Sequence, residues 1–102
     1  MVEVRWTPQS IEDIENIAEY ISKDSMKYAF IQVQDFFEAA EILENFPKSG
    51  RIVPELANKD IRELIVGFYR VIYRIKNEQL VEILTVYHSR RLLKKRVLKK
   101  RS

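Results

Sequence analysis

The 102-residue chain has no cysteine, one histidine, two glycines and three prolines. Without cysteine it has no disulfide, no thiolate nucleophile and no cysteine metal site, a composition that suits a reducing cytosol. A single histidine also excludes a histidine-based metal cluster, so carboxylates alone would have to hold a metal, and none is expected. Two glycines cannot build a phosphate-cradling glycine loop, and no cofactor is expected. No apolar run approaches the roughly 20 residues that span a bilayer. The opening Met-Val-Glu-Val-Arg-Trp lacks the basic-then-apolar layout of a signal peptide. The expected location is the cytoplasm, away from any membrane.

What the chain does have is a near-half apolar content, 46%, with 32% charged residues. That balance belongs to a folded domain, and the length suits one domain over 1–102 with a modest core. The net charge of +3 conceals an uneven distribution. Residues 1–50 carry 4 basic and 10 acidic side chains, whereas residues 51–102 carry 14 basic and 5 acidic. Such polarity favours an anionic partner, nucleic acid or an acidic protein segment, on the basic side; it also serves plain solubility.

Val2 to Trp6 alternates apolar and charged residues, the signature of a half-buried strand with Val2, Val4 and Trp6 inward. Thr7 offers an N-cap hydroxyl, and Pro8 sits where its fixed φ suits a first helical turn. Ile11, Ile14, Ile17, Ala18 and Ile21 then recur at helical spacing. Lys23-Asp-Ser25 interrupts that helix, with Asp24 or Ser25 as the next cap. A second helix follows with an apolar stripe of Met26, Phe30, Val33, Phe37, Ala40 and Leu43, widened by Phe36 and Ile42, all expected in the core. Pro47-Lys-Ser-Gly50 stops it. The short link between the helices predicts an antiparallel hairpin covering one face of a sheet.

Beyond Gly50 the period becomes that of strands. Arg51 to Glu55 contains Pro54 and is at best an edge strand. Strands are expected over about 61–66, 69–76 and 80–87, with a turn at Gly67. The element order implies an α+β class, helices on one face of a mostly antiparallel sheet. Side chains alternate across a strand, so Tyr69, Val71, Tyr73 and Ile75 are assigned to the helices. The opposite face is expected to present Arg62, Arg70, Arg74 and His88 among aliphatics. An exposed face of that kind binds something, unless Glu55, Glu63 and Glu82 pair with the arginines across the strands.

The inventory for chemistry is short. Metal-independent RNA cleavage needs a base, a cation for the phosphate and an acid for the leaving oxygen. Glu55 or Glu63 is the candidate base, Arg62 or Arg70 the clamp, and His88 or Tyr87 the acid, the histidine being suited by its intrinsic pKa. The basic stretch of residues 90–102, from Arg90 and Arg91 onward, forms either a tail or a short helix with Leu93 and Val97 on one face. It contacts phosphate or simply frays.

Five stretches in this order form a family pattern: Trp6-Thr-Pro before an acidic Ile-rich helix, Phe46-Pro-Lys-Ser-Gly-Arg-Ile-Val-Pro-Glu55, Ile61-Arg-Glu-Leu, Tyr69-Arg-Val-Ile-Tyr-Arg, and Ile83-Leu-Thr-Val-Tyr-His-Ser-Arg-Arg91. Together they resemble a toxin of the RelE/ParE superfamily from type II toxin–antitoxin modules, closer to the ParE-like branch. The resemblance implies a β-α-α-β-β-β fold and growth inhibition. It further implies a cognate antitoxin that wraps the toxin in a hetero-oligomer. ParE-like members act on DNA gyrase, and RelE-like members cut mRNA on the ribosome. The gyrase target is the favoured expectation, with Arg51, Arg62, Arg70, Arg74, Arg90 and Arg91 as target or antitoxin contacts. In the ribonuclease alternative, His88, Arg70 and Arg62 carry the chemistry.

Overall fold

A computed structural model describes residues 1–89; the basic stretch 90–102, with Arg90 and Arg91, lies outside the described residues. The alternating start forms strand β1, Glu3–Trp6, with Val2, Val4 and Trp6 packed on the core as their spacing predicts. Helix α1, Pro8–Ser22, begins at the expected cap, where Thr7 Oγ1 accepts from the Ser10 N–H at 3.3 Å. The same hydroxyl donates to the Ile83 carbonyl at 2.7 Å, fixing the helix start to a strand 76 residues away. Ser25 supplies the second cap, accepting from the Tyr28 N–H, and α2 runs Met26–Glu41 before a 3-10 turn over Ile42–Glu44.

Five strands form one sheet in the order β1-β5-β4-β3-β2, with β2 Arg51–Ile52, β3 Ile61–Val66, β4 Tyr69–Asn77 and β5 Leu80–His88. Among the described residues only the β1–β5 pair is parallel. Strands β3 and β4 turn through Gly67-Phe68, with Val66 opposite Tyr69. Gly67 has φ +60°, the left-handed backbone that a two-residue hairpin asks of its first central residue. The 51–55 segment is a two-residue edge strand that leaves the sheet before Pro54.

The helical hairpin packs on the face expected. Val71 and Tyr73 are fully buried against Ile14, Phe36, Ala40 and Leu43, with Tyr69 and Ile75 alongside. Phe36 sets its ring edge against Tyr69 at 5.5 Å between centroids. The Tyr73 hydroxyl reaches the loop after α2, donating to the Pro47 carbonyl at 2.8 Å and accepting from the Gly50 N–H at 3.0 Å. A Cβ on Gly50 would lie 2.6 Å from both the Glu63 carbonyl oxygen and that hydroxyl, so only glycine fits.

The structure corrects two expectations. The core stripe is Ala29, Phe36 and Ala40 of α2, continued by Leu43 in the 3-10 turn, whereas Met26, Phe30 and Ile42 are exposed and Phe37 is half exposed. Two apolar rows lie about a quarter turn apart on this helix. The row containing two alanines faces inward, where α2 lies close to the sheet. The second correction concerns the far face of the sheet, which is not an open surface. Residues 53–56 fold over it, and Val53, Ile72 and Leu84 form a second buried cluster with Leu56, Ile61 and Tyr87.

Candidate functional site

Glu63 on β3 and Arg70 on β4 meet diagonally across the hairpin on the far face, and the loop after β2 brings Glu55 above them. Arg70 Nε donates to Glu63 Oε1 at 2.6 Å, while its two terminal nitrogens donate to the two Glu55 oxygens at 2.7 and 2.8 Å. Arg51 Nε donates to the other Glu63 oxygen from the solvent side. The Glu63 side chain is fully buried and the Arg70 side chain is 5% exposed, so this is an internal ionic lattice rather than a surface charge pair. Its charges balance, two arginines against two glutamates. Hydrogen bonding to Glu55 is the largest cause holding the Arg70 guanidinium charged well above its ordinary pKa, with Glu63 adding to it against the opposing effect of burial. A shallow depression lined by Arg51, Pro54, Glu55, Ile65, Arg70 and Ser89 opens over the lattice.

Arg74, farther along β4 on the same face, donates to Glu82 Oε1 at 2.9 Å. That bond is the main cause lowering the Glu82 pKa, against a smaller opposing effect of burial. Both arginines are therefore engaged by the cross-strand carboxylates that the sequence already offered as their partners.

Arg62 and His88 do not share this face. Arg62 is registered opposite Tyr73, on the helix side, and its guanidinium donates to three backbone carbonyls, those of Lys48, Gly50 and Lys59. The expectation that it joins Arg70 and Arg74 fails because adjacent residues across an antiparallel pair point the same way, and Arg62 pairs with a helix-facing tyrosine. His88 is displaced by a β-bulge. Ile72 pairs with Thr85 but Tyr73 pairs with Ile83, leaving Leu84 as the extra residue. Before the bulge Val81 and Ile83 face the helices; after it Val86 does, and His88 lies opposite Tyr69. An inserted residue reverses the facing of everything beyond it, which a simple count of parity along 80–88 cannot detect.

Helix α1 holds the bulge in place. The Asp13 carboxylate accepts from the Thr85 hydroxyl and from the Val86 N–H at 3.1 Å. Beyond this staple a cleft of about 600 Å³ is lined by Asp13, Asn16, Ile17, Tyr20, Tyr69, Val86, Tyr87 and His88. His88 stacks parallel to the exposed Phe68 ring, with centroids 6.5 Å apart, and meets the Tyr69 ring edge-on at 5.6 Å. Burial, with a smaller contribution from Tyr20, raises the Tyr69 pKa. The sequence named His88 and Tyr87 here but missed Asp13, Asn16, Tyr20 and Tyr69. Asp13 carried a weak signal as a carboxylate on an acidic helix; its convergence with β5 depends on the bulge.

The structure thus separates the residues proposed for chemistry. Arg70 is buried on the far face, and Arg62 and His88 occupy opposite ends of the helix face. Their β4 partners, Tyr73 and Tyr69, are four residues apart, roughly 13 Å along a strand. Among the described residues no group of three or more His, Asp or Glu side chains converges to hold a metal. No helix among them is long and apolar enough to cross a membrane.

Comparison with known proteins gives concordant matches. Residues 4–93 match the family model described as the ParE toxin of the type II toxin–antitoxin system parDE. A protein named as toxin Y4kP, from Sinorhizobium fredii, is 36% identical over 88 residues, 84% of this chain and 86% of that protein. A chain of the chromosomal ParDE TA system from P. aeruginosa shares the fold with a TM-score of 0.72 and 22% identity, covering 86% of this chain and 96% of that one.

Proposed function

The chain belongs to the ParE toxin family of type II toxin–antitoxin systems, and from that premise we propose that it arrests growth by binding DNA gyrase, without covalent chemistry of its own. A cognate antitoxin neutralises it by covering the toxin in a hetero-oligomer. The observation that carries this reading is the dispersal of Arg62, Arg70 and His88. Cleavage of RNA without a metal requires a base, a phosphate clamp and an acid within reach of one phosphate. Here Arg70 is committed to two carboxylates and Arg62 to three carbonyls. Both read as scaffold, and of the target-contact candidates on the described residues Arg51 is the one with a largely exposed side chain, 63%.

One observation favours the ribonuclease alternative. Asp13, Tyr69, Tyr87 and His88 line the same cleft, a set that includes carboxylate, phenol and imidazole groups. In that reading His88 acts as the acid and the clamp comes from outside the described residues, where Arg90 and Arg91 follow it in the chain.

The two readings divide in a supercoiling assay. Purified toxin at micromolar concentration is expected to inhibit gyrase, and the His88→Ala variant to inhibit it comparably. Unaltered supercoiling over that range overturns the gyrase reading. Cleavage of ribosome-bound mRNA by wild type but not by His88→Ala establishes the alternative.

A further inference from the structure

The start of helix α1 brackets the β5 bulge from both sides. Upstream of it, Thr7 Oγ1 donates to the Ile83 carbonyl at 2.7 Å and lies 3.2 Å from the Leu84 carbonyl, while the Thr7 N–H donates to Ile83 at 3.2 Å. Downstream, one oxygen of the Asp13 carboxylate accepts from the Thr85 hydroxyl and the Val86 N–H. Its other oxygen accepts from Gln9 Nε2 at 3.1 Å, one helical turn back, which fixes the plane of the carboxylate. Thr85 is fully buried and Val86 nearly so, so water is a poor substitute for these bonds.

What the bulge aims is the end of β5. Beyond it Val86 packs with the helix-facing core, His88 lies opposite Tyr69 and stacks on Phe68, and the Ser89 N–H donates to the Phe68 carbonyl at 2.7 Å. Without the extra residue the facing of this segment inverts and His88 moves to the far face. The direction in which the chain leaves Ser89 toward Arg90 and Arg91 changes with it. Apolar burial does not choose between the two registers. Leu84 and Val86 are aliphatic, each sheet face has an apolar cluster to receive them, and burial is non-directional. A carboxylate that needs two particular donors does choose, because only the bulged register offers it both.

We propose that Asp13 is a positioning residue for target binding: by holding Thr85 and Val86 it selects the bulged register of β5, and so the face on which His88 and the chain leading to Arg90 and Arg91 meet the target. The choice of gyrase as that target rests on the proposed function, whereas the register does not depend on it.

Two measurements on the full-length toxin test it. One is inhibition of supercoiling, titrated where circular dichroism shows every variant folded. The other is the NMR signals of the His88 ring, which sense the stacked Phe68 ring. Asp13→Ala is expected to need about tenfold more toxin or higher, the loss of roughly one strong interface contact, and to move the His88 signals. Val81→Ala truncates a fully buried residue near the other end of β5 and touches none of these hydrogen bonds. It is expected to lower Tm yet inhibit like wild type, with the His88 signals in place. Thr85→Val keeps the shape and the Val86 bond and removes only the hydroxyl. It is expected to lose about two- to fivefold in potency with a smaller movement of the same signals, and it decides the matter if Asp13→Ala does not fold. Wild-type potency or unmoved His88 signals in Asp13→Ala, or in Thr85→Val where the first variant does not fold, overturn the proposal. A loss in Val81→Ala as large as in Asp13→Ala also overturns it, since potency then follows stability alone. If wild-type toxin leaves gyrase untouched, the gyrase reading fails by itself and the His88 signals still decide the register.

Discussion

The two faces of the sheet are held by different physics. The helix side is a conventional apolar core in which Phe36, Leu43, Val71, Tyr73, Val81 and Ile83 are fully buried. The far side has a smaller apolar cluster around Val53, Ile72 and Leu84, and beside it the four-charge lattice of Arg51, Glu55, Glu63 and Arg70. Apolar burial is non-directional and tolerates imperfect partners. A buried charge does not, because losing one partner leaves the other desolvated and uncompensated. The difference matters for function, since an arginine that attracts attention in the sequence as a phosphate clamp serves here to hold a loop over the sheet.

The sharpest way to break this contrast is Arg70→Ala. It leaves Glu55 and Glu63 facing each other without their shared cation and is expected to cost about 3–5 kcal/mol, measured by urea unfolding. Lys at this position restores one charge but not the fork that binds both carboxylates. Any loss of toxicity in Arg70→Ala should therefore track loss of fold. Unchanged stability with lost toxicity would return Arg70 to the functional site. On the helix face, Tyr73→Phe removes a hydroxyl that serves both Pro47 and Gly50, and is expected to cost about 1–3 kcal/mol in the same measurement. The ring stays packed, so the loss should be confined to the anchoring of the loop after α2, visible as faster amide exchange at Gly50.

The smallest effect concerns Glu82. Arg74 lowers its folded-state pKa, so the pair contributes stability above the unfolded-state value, about 4.3. That contribution is lost as pH falls through the lower, folded-state value. Arg74 is 34% exposed at its side chain, which limits the pair to about 1 kcal/mol or less. Glu82→Gln is expected to lower neutral-pH stability by about that amount and to match wild type at low pH, which flattens the acid limb of Tm against pH slightly. An unchanged acid limb shows that the pair contributes nothing to folding.

Strand and helix positions were legible because periodicity and caps are local: Thr7, Pro8, Ser25 and Gly67 each sit where their chemistry predicts. The strands at 61–66, 69–77 and 80–88 begin as their apolar patterns indicate and end within a residue of them. What escaped the sequence is non-local. The bulge at Leu84 turns His88 to the helix side. The fold-back of residues 53–56 buries Arg70. On α2 two apolar rows competed for the core, and hydrophobicity alone favoured the larger side chains, whereas close packing selected the row with Ala29 and Ala40.

Induction of the toxin in cells without antitoxin, read in parallel for DNA-damage signalling and for mRNA 5′ ends, tests the central claim most directly. A gyrase-directed toxin produces the damage response while mRNA ends remain those of uninduced cells. New mRNA ends that vanish in His88→Ala, with no damage response, would contradict it.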